Sequence, residues 1–278
     1  MWPIALACGS APAETIVPPA PRVVTVDVGE GRWCGLAADA KVHCSAWPNA
    51  MLDPEPLPGT FVELAVGLHH VVGLRSDGRL AAWGYAEREE RTSVPKGVFL
   101  DVAAGARHGC AAATGGVRCW GDDTYGQLQA PSERLMAMDA DLWRTCGLDE
   151  QGSVRCWGLG PALPLGETGG FVEVAVAGTA TCALQIDGQV VCDGVASPSW
   201  DGALQVEGGA APGGGWRFCA RFAEAARCWG PGGIDPVEGP GGLLDLTVGA
   251  ESACGVAAAG SVVCWHGGTF SGRPLPRP

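Results

Sequence analysis

The chain has 278 residues with 44 glycines, 21 prolines and only 17% charged residues, which suits short strands joined by tight turns and leaves little material for long amphipathic helices. Its formal net charge of −12 disfavours nucleic acid and anionic membrane surfaces as partners. One all-β domain is expected rather than two ordinary ones, because a single motif returns along most of the length.

The segment Met1-Trp-Pro-Ile-Ala-Leu-Ala7-Cys8-Gly9-Ser10 is short and apolar and ends in small residues, with a Pro/Ala-rich stretch running on to Pro21. It resembles the end of a bacterial lipoprotein signal, in which Cys8 would be lipidated, although it has no basic residue ahead of the apolar part. A plain export signal or an unpaired thiol at Cys8 are the alternatives. Residues 1–21 therefore read as an export or lipoprotein-like segment with a Pro-stiffened tether, and residues 22–278 as the folded domain.

From Val23 onward each copy of the motif opens with an alternating apolar strand, as in Val23-Val-Thr-Val-Asp-Val-Gly29 and Phe61-Val-Glu-Leu-Ala-Val-Gly67. A short variable loop follows, then a hairpin such as Thr181-Cys-Ala-Leu-Gln-Ile-Asp187-Gly188-Gln-Val-Val-Cys192, whose Asp-Gly pair predicts the turn. Most copies continue with Trp-Gly and a Gly/Pro-rich run with room for one weak rim strand. Positions 44, 82, 119, 156, 192, 228 and 264 mark seven copies, spaced by 36 to 38 residues. Seven small sheets of three or four strands, none able to bury both faces alone, predict a seven-bladed β-propeller. The Trp after each hairpin (Trp83, Trp120, Trp157, Trp229) is expected to wedge between blades and to have no ligand role.

Of the 13 cysteines, Cys8 stands apart and the others fall into the pairs Cys34/Cys44, Cys110/Cys119, Cys146/Cys156, Cys182/Cys192, Cys219/Cys228 and Cys254/Cys264. A two-residue loop at Thr114-Gly115, or a three-residue loop ending in Gly188, sets the two members opposite each other, within reach of a disulfide. The second copy has Val72 and Ala82 at the matching places. Loss of both cysteines together fits the two halves of a bond better than two independent buried thiols. Zinc is less well supported because no Cys-x-x-Cys occurs. Disulfides imply an oxidising compartment, hence a secreted or surface-tethered protein.

Gly105-Ala-Arg-His108-Gly-Cys110 with Cys119-Trp-Gly-Asp-Asp-Thr-Tyr-Gly126-Gln127-Leu128 resembles the regulator-of-chromosome-condensation repeat, in its short secreted bacterial form. The resemblance extends over about residues 23–267 and implies a seven-bladed propeller. The founder of that family exchanges nucleotide on a small GTPase and docks on chromatin, roles at odds with the acidity and paired cysteines here. Secreted bacterial propellers that inhibit an enzyme offer an architectural analogy.

Candidate recognition residues come from two columns of the repeat. Three places before the first hairpin cysteine stand Gly31, His69, Arg107, Trp143, Thr179, Trp216 and Glu251, and two places before it stand Arg32, His70, His108, Arg144, Ala180, Arg217 and Ser252. Loops of one face carrying such side chains suit protein recognition, so His69, Arg107, Trp143, Arg144, Trp216, Arg217 and Glu251 are the candidate binding residues. The plainer alternative is that the Arg and His side chains brace blade-to-blade turns. No catalytic motif, cofactor fingerprint or metal-ligand spacing is present; Glu89-Glu90 lies in a charged run and Asp122-Asp123 in a turn. The expectation is a monomeric, non-enzymatic module that binds a protein through a loop ring. A channel-centred lyase or hydrolase, an inhibitor of an extracellular enzyme and a purely architectural surface protein are the alternatives.

Overall fold

A computed structural model describes residues 23–29, 32–44, 58–84, 93–160, 169–211, 215–231, 233–249 and 252–266. Cys8, the tether boundary at residue 21, Glu89-Glu90 and Glu251 lie outside the described residues. The described residues form seven antiparallel sheets, six of three strands and one of four. Each sheet comes from one contiguous copy of the repeat, and together they are the seven blades of a β-propeller. The inner strands are Val23–Gly29, Phe61–Val66, Asp101–Ala104, Leu135–Asp141, Phe171–Ala177, Gln205–Ala211 and Leu243–Val248. Among the described residues the rim strand is Gly233–Gly239, in blade 6.

The hairpins follow from their turn residues. Gly188 has φ of 85° and donates its N–H to the Gln185 carbonyl at 2.9 Å, a conformation that would strain a residue with a Cβ. In blade 3 Ala113 faces Gly116 across Thr114-Gly115. These registers place the cysteines of each pair opposite one another. Bonds join Cys34 to Cys44, Cys110 to Cys119, Cys146 to Cys156, Cys182 to Cys192, Cys219 to Cys228 and Cys254 to Cys264, with Cα separations between 3.9 and 4.1 Å.

The two members of a bridge are not equivalent, a difference that the spacing alone does not reveal. The first cysteine of every pair, on the middle strand, is buried, whereas Cys44, Cys119, Cys156, Cys192 and Cys264 are only half-buried. Among the described residues their strand is the outermost of a three-stranded blade. Cys228 is the exception that supports this reason: the rim strand Gly233–Gly239 pairs alongside it, and it is buried. Val72 and Ala82 face each other in the same register. In blade 2, apolar contact takes the place of the covalent link.

Packing between blades rests on the tryptophans. Trp83 joins Phe61 and Val71 of blade 2 to Leu36 and Val42 of blade 1, and Trp265 joins blade 7 to Ala226 and Cys228 of blade 6. Trp157 also donates its indole N–H to the Gln127 carbonyl of blade 3 at 2.9 Å. In blade 1 Trp33 packs against Val23, Val26 and Val256, at the junction with blade 7.

Among the described residues the ring closes without strand exchange. Val23–Gly29 pairs within blade 1, and blade 7 is complete in Leu243–Val248, Ser252–Ala257 and Val262–His266. The two blades meet through Val23 N–H to the Gly260 carbonyl at 3.1 Å and through side-chain bonds described below.

The propeller has two unlike faces. On one lie the turns between inner and middle strands, which hold Arg107 and Trp143. On the other lie the hairpins between middle and outer strands, several of them tied to the start of the next inner strand, as in Phe61 N–H to Ala40 O and Ala203 N–H to Gly188 O, both 3.0 Å. Each bridge spans only nine or ten residues of sequence inside a hairpin that is already local. Replacing Cys110 by Val with Cys119 by Ala, as blade 2 does naturally, should therefore cost less than about 3 kcal/mol and leave a cooperative thermal transition. A chain unfolded at 25 °C would contradict the view that apolar packing carries the blade.

Candidate functional site

On the loop face, Arg107 and Trp143 come together from neighbouring blades, with the guanidinium carbon 5.4 Å from the indole centroid. Tyr125, which sequence reasoning passed over, completes the group: its ring lies 5.6 Å from that of Trp143, and the residue is 48% exposed. Local backbone bonds fix the three. Asp122 N–H reaches the Arg107 carbonyl and Leu159 N–H the Trp143 carbonyl, while Tyr125 N–H donates to Gln127 Oε1 at 2.7 Å.

The other candidates are placed differently. His69 is half-buried in the turn of blade 2. Trp216 and Arg217 belong to the strand Gly215–Arg221 rather than to a loop, and Trp216 packs on Phe218 with ring centroids 5.7 Å apart. Arg144 is 2% exposed, and its guanidinium donates to the Leu159 carbonyl at 3.2 Å, so it braces the turn instead of joining the face. His70 and His108 of the same column are buried as well. His108 Nε2 lies 2.7 Å from Thr145 Oγ1 of blade 4, and burial pulls its pKa down to about 4, keeping the imidazole neutral.

The central channel, a cavity of about 360 Å³, has a chemistry that was not read from the sequence. Every inner strand contributes one carboxylate from one of two adjacent tiers. Asp27, Asp139 and Glu207 stand opposite the first hairpin cysteine, whereas Glu63, Asp101, Glu173 and Asp245 stand two places earlier. Each tends to accept a backbone N–H from the following blade. Asp27 takes Val66, Asp101 takes Met138 at 2.6 Å, Asp139 takes Val176 at 2.6 Å and Glu173 takes Val206 at 2.8 Å. Glu63 accepts from Val102. Asp245 takes Val26 at 2.8 Å, and Thr247 donates to Asp27 at 3.0 Å, which closes the ring from blade 7 to blade 1. Between blades 6 and 7 a glutamine serves instead: Gln205 donates to Asp245 and to the Leu246 carbonyl. Asp141, at the loop end of the channel, accepts from Gly178 at 2.8 Å.

Burial raises Asp27, Glu63, Asp139, Asp141, Glu173, Glu207 and Asp245 above their ordinary range because desolvation penalises the carboxylate, and for most of them neighbouring acids add to the effect. Glu63 is pushed up to about 10, by burial first and then by Asp101; Asp139 rises to about 8, Glu173 to about 7 and Asp141 to about 6. Asp27, Glu207 and Asp245 are raised too, again chiefly by burial. Among the described residues, no group of three or more His, Cys, Asp or Glu side chains is arranged to hold a metal ion.

The signal for the channel was present in the sequence but split. Counted back from the first hairpin cysteine, or from Val72 in its place, the acid lies seven residues away in Asp27 and Asp139, nine in Glu63, Asp101, Glu173 and Asp245, and twelve in Glu207, so no single column shows it.

A folded state whose acids titrate above the unfolded value holds protons that the unfolded chain releases. The stabilisation is whole below about pH 4 and lost as pH rises through the folded values, from about 6 to about 10. Thermal midpoints should therefore fall between pH 5 and pH 9; a midpoint that climbs over that range would contradict the assignment. Asp139→Ala, which strands the Val176 N–H, should cost about 1–3 kcal/mol. Asp139→Asn keeps an acceptor and has no charge to bury, so at pH 8 it should match or exceed the native chain.

Comparison with known proteins agrees with the architecture. Residues 99–127 match the model of the regulator of chromosome condensation (RCC1) repeat. The CRINKLY WD40 ectodomain of the receptor kinase ACR4 from Arabidopsis thaliana superposes with a TM-score of 0.70 at 24% identity, covering 91% of this chain and 99% of that one. The ectodomain of the receptor kinase CR4 from Physcomitrella patens gives 0.69 at 23% identity, over 90% of this chain and 74% of that one. Human WBSCR16 gives 0.60 at 14%, over 77% and 79%. At these identities the likeness concerns the fold. The six disulfides belong to an oxidising, extracellular type of environment. Repeat spacing, blade structure and the matched segment together make this chain a seven-bladed β-propeller that carries an RCC1-type repeat at residues 99–127.

Proposed function

We propose that the chain is an exported, non-catalytic binding module that recognises another protein through its loop face, either freely secreted or held at the cell surface through Cys8. The observation that carries this reading is the Arg107, Trp143 and Tyr125 group, contributed by two blades and open to solvent at Tyr125. An aromatic pair with a guanidinium gives a partner large contact area and directional hydrogen bonds at small entropic cost, the usual make-up of an interface hot spot. A purely architectural role leaves such a cluster unexplained.

A second reading, a hydrolase or lyase working in the channel, gains from the carboxylate column that such chemistry requires. Against it, most of these carboxylates already accept backbone N–H groups, an arrangement that fixes blades rather than leaving an acid and a base free for substrate.

The test compares the native chain with a triple variant, Arg107→Ala, Tyr125→Ala and Trp143→Ala, as immobilised bait for the exported proteins of the source organism. The reading expects a protein retained at least ten-fold better by the native chain while the variant keeps its thermal midpoint. Equal retention by both would contradict it. Trp216→Ala is the contrasting control: because its ring packs on Phe218, it should lower stability by about 2 kcal/mol.

A further inference from the structure

Every blade exposes one large apolar side chain where its inner strand begins. In blades 1, 2, 5 and 7 this is the extra residue of a β-bulge, namely Val24, Val62, Val172 and Leu244. Leu100, Met136 and Leu204 hold the matching places in the other three blades, and all seven are between 37 and 55% exposed. Scattered exposed apolar residues need no explanation, but the same class recurs at the start of every inner strand and so rings that end of the propeller as a collar. A bulge re-aims a side chain, so the outward direction is built into the strand.

The collar lies on the hairpin face, opposite the Arg107 group. The bonds from Phe61, Phe99 and Phe171 N–H to the hairpin carbonyls of Ala40, Gly78 and Gly152 fix the strand starts at that end. Ile186, 85% exposed, stands on one of these hairpins. Directly inside the collar comes the tier of Glu63, Asp101, Glu173 and Asp245, each the next residue after a collar side chain. Deeper lie Asp27, Asp139 and Glu207, with Asp141 at the far end. The cation set beside the column is Arg221, which donates to Gln205 and to the Leu243 carbonyl from the blade 6 side.

An apolar rim around an acid-lined shaft calls for an occupant with the same two parts. We propose that the collar is a docking surface for a partner segment presenting a lysine or arginine side chain between apolar residues, the flanks seated on the collar and the cation directed among the carboxylates. This surface is distinct from the loop face and does not depend on it. Glu63 and Asp139 keep protons at neutral pH, so an entering cation should displace some of them. Binding then releases protons and tightens as pH rises from 6 to 8.

The experiment is isothermal titration of the full chain with acetyl-Leu-Ala-Arg-Ala-Leu-amide and its Gln counterpart, in two buffers of different ionisation enthalpy. The expected result is at least ten-fold tighter binding of the Arg peptide, with proton release. Val62→Ser with Val172→Ser should weaken it at least five-fold at an unchanged thermal midpoint, whereas the Arg107, Tyr125 and Trp143 variant should bind it normally. Equal affinity for both peptides, no binding of the Arg peptide, or indifference to the collar substitutions would overturn the proposal. So would self-association abolished by the collar substitutions, which would assign the collar to a second copy of the chain. Binding that appears only after residues 1–21 are removed would assign it to the chain's own N-terminal segment, with the same consequence.

Discussion

Each inner strand turns one edge toward the channel, and the N–H groups along that edge have no strand to pair with. In a sheet that ends at solvent, such an edge is a site for unwanted pairing; around a narrow channel it is also a set of donors taken partly out of water. The carboxylates answer this constraint. An acid on one blade accepts the edge N–H of the next, so the side chain that lines the channel also ties two blades together. Because the last of these bonds joins Val26 N–H to Asp245, the described blades close into a ring through side chains.

Three kinds of contact thus hold the propeller at three radii. Carboxylate latches act at the axis, tryptophans such as Trp83 and Trp265 fill the wedge between sheets, and disulfides staple the middle strand of a blade to its outer strand. They differ in what weakens them. Reductant meets the staples at their half-buried outer members, Cys44, Cys156 and Cys264 among them, and opening those bonds leaves the packing in place, as blade 2 already shows with Val72 facing Ala82. Raising the pH acts on the axis alone, since ionising buried acids near one another is costly while the tryptophan wedges carry no charge.

Much of this was legible in the sequence because the repeat sets its own reference. Turn residues such as Asp187-Gly188 fixed the hairpin register, and that register led to the disulfides, including the joint absence at positions 72 and 82. The unequal burial within each bridge was not legible, because it depends on which blade adds a rim strand beside its second cysteine. The acid column was hidden because the acids stand in two tiers: Asp27 pairs with Cys34, whereas Glu63 and Asp245 stand two places earlier, opposite Leu74 and Val256, and only the pairing with the middle strand shows that both tiers line one channel. The recognition columns misled for a related reason. Residues two places before the cysteine already belong to the middle strand in blades 2, 3 and 4, so His70, His108 and Arg144 turn inward. Tyr125 escaped notice because its blade alone keeps the Gly-Gln-Leu element whose Gln127 holds its backbone in place.

Amide hydrogen exchange tests the central claim most directly. The N–H groups of Val26, Val66, Val102, Met138, Val176 and Val206 point away from their own sheets, so only the latches protect them. If the latches hold the ring, these amides exchange only when blades separate, and Asp139→Ala releases Val176 selectively. If they exchange in the native chain as fast as exposed loop amides, the carboxylates do not bind the blades together and the account fails.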